Sequence, residues 1–292
     1  MDRRQVVLGG ALAVGACATS GGAQAQAFVS DRFTVVTQGA GPDVILIPGL
    51  ACPRDVWTGL AVGLSATHRL HLVQLTGFGE GAAPPAGPLF EPAAQELIRY
   101  IREAGLRAPA VIGHSMGGTL ALRLAAAEPG MIGRVMAVDT LPFFSVLVNP
   151  MATADSIAPQ AQALGAQMVA MDDAAFLALQ QRTMATLTKG AENQELAVAW
   201  SVASNRAATA QTMVDIMTTD LRPQLAAITA PVTVLYAWDA SMPYPAAGAD
   251  SVYASNYAGL AGVTLKRIDG ALHFIMLDQP QVFAEEVSAF LG

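Results

Sequence analysis

The segment Gly113-His114-Ser115-Met116-Gly117 sets a serine between two glycines in the pattern Gly-x-Ser-x-Gly, with the β-branched stretch 110–112 before it and helical periodicity over 117–127 after it. A serine at such a strand-to-helix turn sits in strained backbone, and glycines on either side lack the Cβ atoms that would clash as strand and helix pass. Its hydroxyl lies at a helix N-terminus, where free N–H groups and the helix dipole favour developing negative charge. The chemistry this suits is attack on a carbonyl. A serine hydroxyl is a weak nucleophile until a base takes its proton, so a histidine in reach and an acid to orient that histidine are required. The histidines are His68, His71, His114 and His273. His68 and His71 flank the start of a strand and read as edge or surface residues. His114 adjoins Ser115, but consecutive side chains at such a turn point apart, so it is expected to pack beneath the nucleophile. A phosphate-binding reading of the same glycines fails, because no Gly-x-x-x-x-Gly-Lys is present.

In its strand–turn–helix setting, the Ser115 segment resembles the nucleophile turn of the α/β-hydrolase family, and the resemblance extends over about residues 33–291. It implies a mostly parallel central sheet flanked by helices. His273, which follows the last strand pattern and precedes a final helix, resembles the family's base, and the serine-first, histidine-last order agrees with it. Asp239, ending Val234-Leu235-Tyr236-Ala237-Trp238-Asp239, stands where the family usually carries its carboxylate and is the preferred acid. The usual Gly-x-x-Asp turn is absent there, however. Asp139, after Val135-Met136-Ala137-Val138, is the alternative, because some relatives carry the acid after that earlier strand. The resemblance also implies an oxyanion hole made by the backbone N–H groups of Met116 and Leu50, the latter in Ile47-Pro48-Gly49-Leu50, where Pro48 replaces the family's histidine. Trp57 resembles an aromatic behind that loop and reads as core. In Gln74-Leu75-Thr76-Gly77-Phe78-Gly79-Glu80-Gly81, residues Gln74 and Gly81 replace two polar positions of the family, and this segment is expected to shape a loop.

The elements that must position these groups alternate. Strand patterns fall at 32–38, 43–47, 69–75, 110–112, 135–138, 232–236 and 264–268, and the clearest helical patterns at 56–64, 90–104, 117–127 and 280–291. Strands rich in Val, Ile and Leu between helices predict βαβ units and an α/β fold. Between Val138 and Val232 the strand signal disappears, and 150–228 reads as Ala/Gln/Met-rich helices broken at Pro159, Gly190 and Pro223. The organisation expected is an export signal over 1–27, a first part of the core over 28–141, a helical cap insertion over 142–229 and a second part of the core over 230–292. The cap should sit over the strand ends, where ligands bind in open α/β sheets. Its methionines, Met151, Met168, Met171, Met184, Met213 and Met217, suit either an adaptable apolar pocket or simple gap-filling.

Composition bounds the partners. Of 292 residues 53% are hydrophobic and 13% charged, which excludes disorder, and a net charge of −7 argues against nucleic acid. The cysteines, Cys17 and Cys52, cannot build a four-ligand zinc site, and neither a metal nor a cofactor is expected. Arg3 and Arg4 precede an apolar run that is too short to cross a bilayer and ends near Ala25-Gln26-Ala27, a small-x-small cleavage pattern. The arginine pair resembles a twin-arginine export signal, and Val14-Gly15-Ala16-Cys17 resembles a lipobox, so the membrane enters only through export or a lipid on Cys17. Cys52 is then expected to be a free thiol. The expectation is a serine hydrolase, periplasmic or otherwise exported, that cleaves an ester-like bond in a small hydrophobic substrate through an acyl-enzyme. Carbon–carbon bond hydrolysis or cofactor-free perhydrolysis on the same triad, and a non-catalytic binding scaffold, stay open beside it.

Overall fold

A computed structural model describes residues 28–79 and 84–292, so the expected export signal and Cys17 lie outside the described residues. Seven strands form one sheet: β1 (Phe33–Gln38), β2 (Asp43–Ile47), β3 (Arg69–Leu75), β4 (Ala110–His114), β5 (Arg134–Val138), β6 (Val232–Trp238) and β7 (Thr264–Asp269). Their order is β1-β3-β2-β4-β5-β6-β7, with β1 antiparallel to β3 and every other pairing parallel. The helices are α1 (Thr58–Leu64), α2 (Phe90–Glu103), α3 (Met116–Ala127), α4 (Ala154–Ala170), α5 (Asp173–Leu187), α6 (Ala191–Ala203), α7 (Arg206–Thr218), α8 (Ala246–Asn256), α9 (Ile275–Asp278) and α10 (Pro280–Leu291).

The sheet is the middle of three layers because its strands are apolar on both faces. Side chains alternate across a strand. Accordingly Ile45 and Ile47 of β2 join a core with α2 and α3, while Val44 and Leu46 join a second core with Trp57, α1 and α10. The edge strands differ. β1 is buried only at Phe33 and β7 only at Ile268, as expected of strands with one neighbour. His71, expected at an edge or on the surface, is buried at 2% exposure. The reason is a polar bridge through β3: its Nε2–H donates to Asp43 Oδ1 of β2 at 2.9 Å, and its Nδ1 accepts from Tyr100 Oη of α2 at 2.6 Å. Burial lowers the His71 pKa and outweighs the attraction of Asp43, so the ring is neutral.

From β5 to β6 the described chain carries no strand, and α4 to α7 fill the interval. Pro159, expected to break a helix, lies within α4 instead. It falls in the second turn, where the ring removes one backbone donor, while the reciprocal bonds between Thr153 and Ser156 cap the first turn. Gly190 does separate two helices, taking φ +76° between α5 and α6, and Pro223 opens a short 3-10 turn at Arg222–Ala227. The methionines of this region do not gather around one pocket: Met217 lies in one core, Met184 in the other, and Met151 is exposed. Met184 and Met217 fill gaps between helices.

This insertion covers the C-terminal ends of the parallel strands. Asn205 N–H donates to Gly77 O, and Ser204 Oγ accepts from Gly79 N–H and donates to Ala51 O, so α6 and α7 are tied to the loops after β3 and β2. On the other side Leu187 O accepts from Phe274 N–H, and Lys189 reaches the loops after β6 and β7. No helix among the described residues is long and apolar enough to cross a membrane.

Candidate active site

Ser115 ends β4 and begins α3 with φ 54° and ψ −123°, a conformation strained for any residue with a side chain. Its N–H donates to Val138 O at 2.8 Å, which fixes the turn to the neighbouring β5. The glycines around it are required by packing. A Cβ on Gly113 would collide with the Gly117 backbone, and one on Gly117 would collide with the carbonyls of Ile47 and Pro48. One on Gly118 would meet Thr140 Cγ2 at 2.6 Å. Strand, turn and helix can therefore close on one another only with glycine at these places.

The loop after β2 is pressed against this turn: a Cβ on Gly49 would lie 3.2 Å from Ser115 Cβ and 2.9 Å from His114 Nδ1. Of the expected oxyanion donors, Met116 follows Ser115 directly and Leu50 follows Gly49, the residue pressed against it. Met116 opens α3, where the first N–H groups have no intrahelical acceptor, and neither Met116 N–H nor Leu50 N–H is spent on a protein acceptor among the described residues. Gln74 shapes the next loop as expected, accepting from Arg54 N–H and donating to Phe78 O, each at 2.8 Å. Beside Met116 a narrow, mostly apolar cleft is lined by Leu75, Phe78, Phe90, Leu120 and Thr212. Cys52 is a buried free thiol, its pKa pushed up to about 12 by burial, and Trp57 is fully buried against Phe283.

His273 reaches this cluster from the loop between β7 and α9. Its ring centroid lies 4.6 Å from that of His114, the neighbour of Ser115, and His114 Nε2–H donates to the His273 carbonyl at 3.0 Å. Burial and the nearby His273 hold the His114 pKa far below the ordinary value, so His114 is neutral and its buried Nδ1 has no partner among the described residues. His114, expected to pack beneath the serine, is buried, and it anchors the histidine loop.

The acid is where sequence and structure part. His273 Nδ1–H donates to Asp139 Oδ2 at 2.7 Å, leaving Nε2 as the ring nitrogen available to a hydroxyl. Asp139 stands one residue past Val138, which pairs with His114, so Asp139 and Ser115 end adjacent strands. It takes φ 46°, and Oδ1 accepts from Ala237 N–H at 2.8 Å and Tyr253 O–H at 3.0 Å, so the side chain crosses the end of β6 toward the β7 loop. Asp239, the preferred acid of the sequence reading, is turned elsewhere. Its Oδ1 accepts from Ser241 N–H at 2.9 Å and Ser241 O–H at 2.6 Å, closing a tight turn, and its Oδ2 pairs with Lys189 Nζ at 2.6 Å. Lys189, then Ser241, hold its pKa below the usual carboxylate range. The short Ala237-Trp238-Asp239 turn folds the carboxylate into its own loop, so the alternative, Asp139, occupies the place beside His273. Tyr253 and Lys189 were not expected at the site; no local motif marks either, since both arrive from helical regions far along the chain. Among the described residues no group of three His, Cys, Asp or Glu is arranged to hold a metal.

Residues 44–286 match the family model described as "Alpha/beta hydrolase family". A pimeloyl-[acyl-carrier protein] methyl ester esterase of Nitrosospira multiformis is 31% identical over 112 residues, a match covering 38% of this chain and only 43% of that protein. The protein of the same name from Aliivibrio salmonicida is 26% identical over 200 residues, covering 68% of this chain and 75% of the relative. Among solved structures, a hydrolase from Pseudomonas aeruginosa PA01 superposes with a TM-score of 0.73 at 20% identity, covering 89% of this chain and 94% of its own, a likeness of fold.

Proposed function

Since the chain belongs to the alpha/beta hydrolase family, we propose that it is a serine hydrolase acting on a small ester with an apolar acyl group. The observation that carries this reading is the His273–Asp139 hydrogen bond at 2.7 Å beside the strained Ser115 turn. Ser115 Oγ attacks the carbonyl carbon while its proton passes to His273 Nε2, and Asp139 holds the imidazole in the Nδ1–H tautomer and stabilises the imidazolium. The oxyanion takes hydrogen bonds from Leu50 and Met116 N–H, each such donor being worth about 2.7–4 kcal/mol of transition-state stabilisation. The bond to the leaving alcohol breaks as Nε2 returns its proton to that oxygen. Water, deprotonated by the same nitrogen, then releases the carboxylic acid and restores Ser115.

The ester class is supported by the relatives, named as methyl ester esterases, and the apolar acyl preference by the cleft beside Met116. The test is a panel of nitrophenyl esters of increasing acyl length. Wild type should hydrolyse the short and medium members and take up a fluorophosphonate on Ser115, and Ser115→Ala should lose both. Equal turnover by wild type and Ser115→Ala would refute the reading.

The leader residues Arg3, Arg4 and Ala25-Gln26-Ala27 support a second part of the proposal, that the enzyme works outside the cytoplasm. N-terminal sequencing of the mature protein should find Phe28 first, whereas a lipid-modified Cys17 would mark the membrane-anchored form.

A further inference from the structure

The carboxylate of Asp139 is held on both oxygens. Oδ2 receives the His273 hydrogen bond, while Oδ1 receives Ala237 N–H from β6 at 2.8 Å and Tyr253 O–H from α8 at 3.0 Å. The φ of 46° at Asp139 means that a strained backbone launches the side chain, so its aim depends on these partners. Tyr253 is itself immobilised. Its ring stacks on Tyr236 at 4.3 Å between centroids and lies near-parallel to Tyr257 at 6.4 Å. Tyr257 O–H donates to the carbonyl of Thr140, the residue after Asp139, at 2.9 Å, and Tyr236 O–H donates to Asp250 at 2.8 Å. Three tyrosines therefore form a rigid stack whose middle hydroxyl points at the acid. Burial raises the Tyr253 pKa well above the ordinary value and the Asp139 charge raises it further, so the phenol keeps its proton and stays a donor.

We propose that Tyr253 is a positioning residue for the triad, acting through Asp139: its hydroxyl fixes Oδ1 so that Oδ2 stays on His273, and it sets how strongly the carboxylate stabilises the imidazolium. This rests on the triad reading above. The titratable groups facing Asp139 are His273, Tyr253, Tyr244 and Tyr257, and those facing His273 are Asp139 and His114. Removing the Tyr253 donor leaves more negative charge on Asp139, favours protonated His273, and so moves the acid limb of the pH–rate profile upward.

The experiment compares wild type with Tyr253→Phe, which keeps the stacked ring, on one nitrophenyl ester. A hydrogen bond to a charged group lost in this way should lower kcat about tenfold. KM should change less than about twofold and the acid limb of kcat/KM should rise by about half a pH unit, a shift that one hydrogen bond readily supplies. Incorporation of 3-fluorotyrosine at position 253, which retains the hydroxyl as a stronger donor, should move the limb the opposite way, so the idea survives a Phe variant that folds poorly. An acid limb unchanged in both proteins overturns it. If wild type matches Ser115→Ala in turnover, it is the triad reading that has failed; if Ser115→Ala is dead while Tyr253→Phe keeps full rate and an unmoved limb, the triad stands and the role of Tyr253 does not.

Discussion

Asp139 and Asp239 carry the same functional group at the tips of adjacent strands, and only their hydrogen-bond partners separate them. An amide at position 139 would still accept from Ala237 and Tyr253 but could not hold the tautomer of His273, whereas an amide at 239 only weakens a tie to Lys189 and Ser241. Asp139→Asn should therefore lower kcat by up to about 10⁴, the scale of losing the orienting acid of a triad. Asp239→Asn should leave kcat within about threefold of wild type, a bound set by the sub-kcal/mol worth of exposed ion pairs. Steady-state kinetics on the two purified variants decides, and the reverse ranking would restore Asp239 as the acid. The contrast also marks what was legible at this scale. Ser115 could be read because its signal is local: two glycines, a strand before, a helix after. The carboxylate partner of His273 could not, because it depends on which side chain leans across β6 toward the β7 loop, and that is set by the Ser241 turn, by Lys189 and by Tyr253, none of which adjoins His273 in sequence.

The segment joining α5 to α6 binds the cap to the histidine loop through two carboxylates of unequal importance. Asp278 accepts from Leu272 N–H at 2.8 Å, beside His273, and from Thr188 O–H at 2.6 Å and Lys189 N–H at 2.9 Å. Asp239 accepts only the half-exposed ammonium of Lys189 from the cap. Removing Asp278 leaves two backbone donors and a hydroxyl unmatched, so Asp278→Ala should cost about 2 kcal/mol by urea unfolding, against less than about 1 kcal/mol for Lys189→Ala. Equal losses would mean that the ion pair, not the carboxylate of α9, ties the cap down. The pH dependence follows from the lowered Asp239 pKa. Its contribution is fully present above the ordinary carboxylate value of 3.8 and fades as pH falls below it, so the stability gap between wild type and Asp239→Asn should close toward pH 2. The existence of this cap was legible from the loss of strand signal after Val138, because helices and strands repeat differently. Its attachment was not, since Thr188, Lys189 and Asp278 meet only when the chain returns across the sheet. Pro159 misled for a different reason: α4 gives up the one backbone bond that the ring cannot donate and still runs on, held by close packing along α7, where Gly165 lies against Ala210 and Val214.

At the scale of the whole molecule, net charge bears on which esters should reach the serine. The chain carries 16 Lys and Arg against 23 Asp and Glu, a net charge of −7, and the carboxylates of Asp139, Asp239 and Asp278 lie around the loops of the site with Lys189 the cation that bonds among them. A field of that sign repels anions over about a Debye length, roughly 8–10 Å at physiological ionic strength, and leaves neutral molecules untouched. The α3 N-terminus beside Ser115 offers little opposing attraction at that range, because it is a partial charge acting within its first turn. Two esters matched in acyl length, one ending in a methyl and one in a carboxylate, should thus separate by salt alone. Between about 10 mM and 300 mM salt, over which the Debye length falls from about 30 Å to below 8 Å, kcat/KM should stay constant for the neutral ester and climb several-fold for the anionic one. The rise should appear in KM, since screening changes encounter and not the chemistry at Ser115. A carboxylate-ended ester that is preferred at low salt would reverse the sign and point to Arg32, the cation that lines the cleft beside Met116.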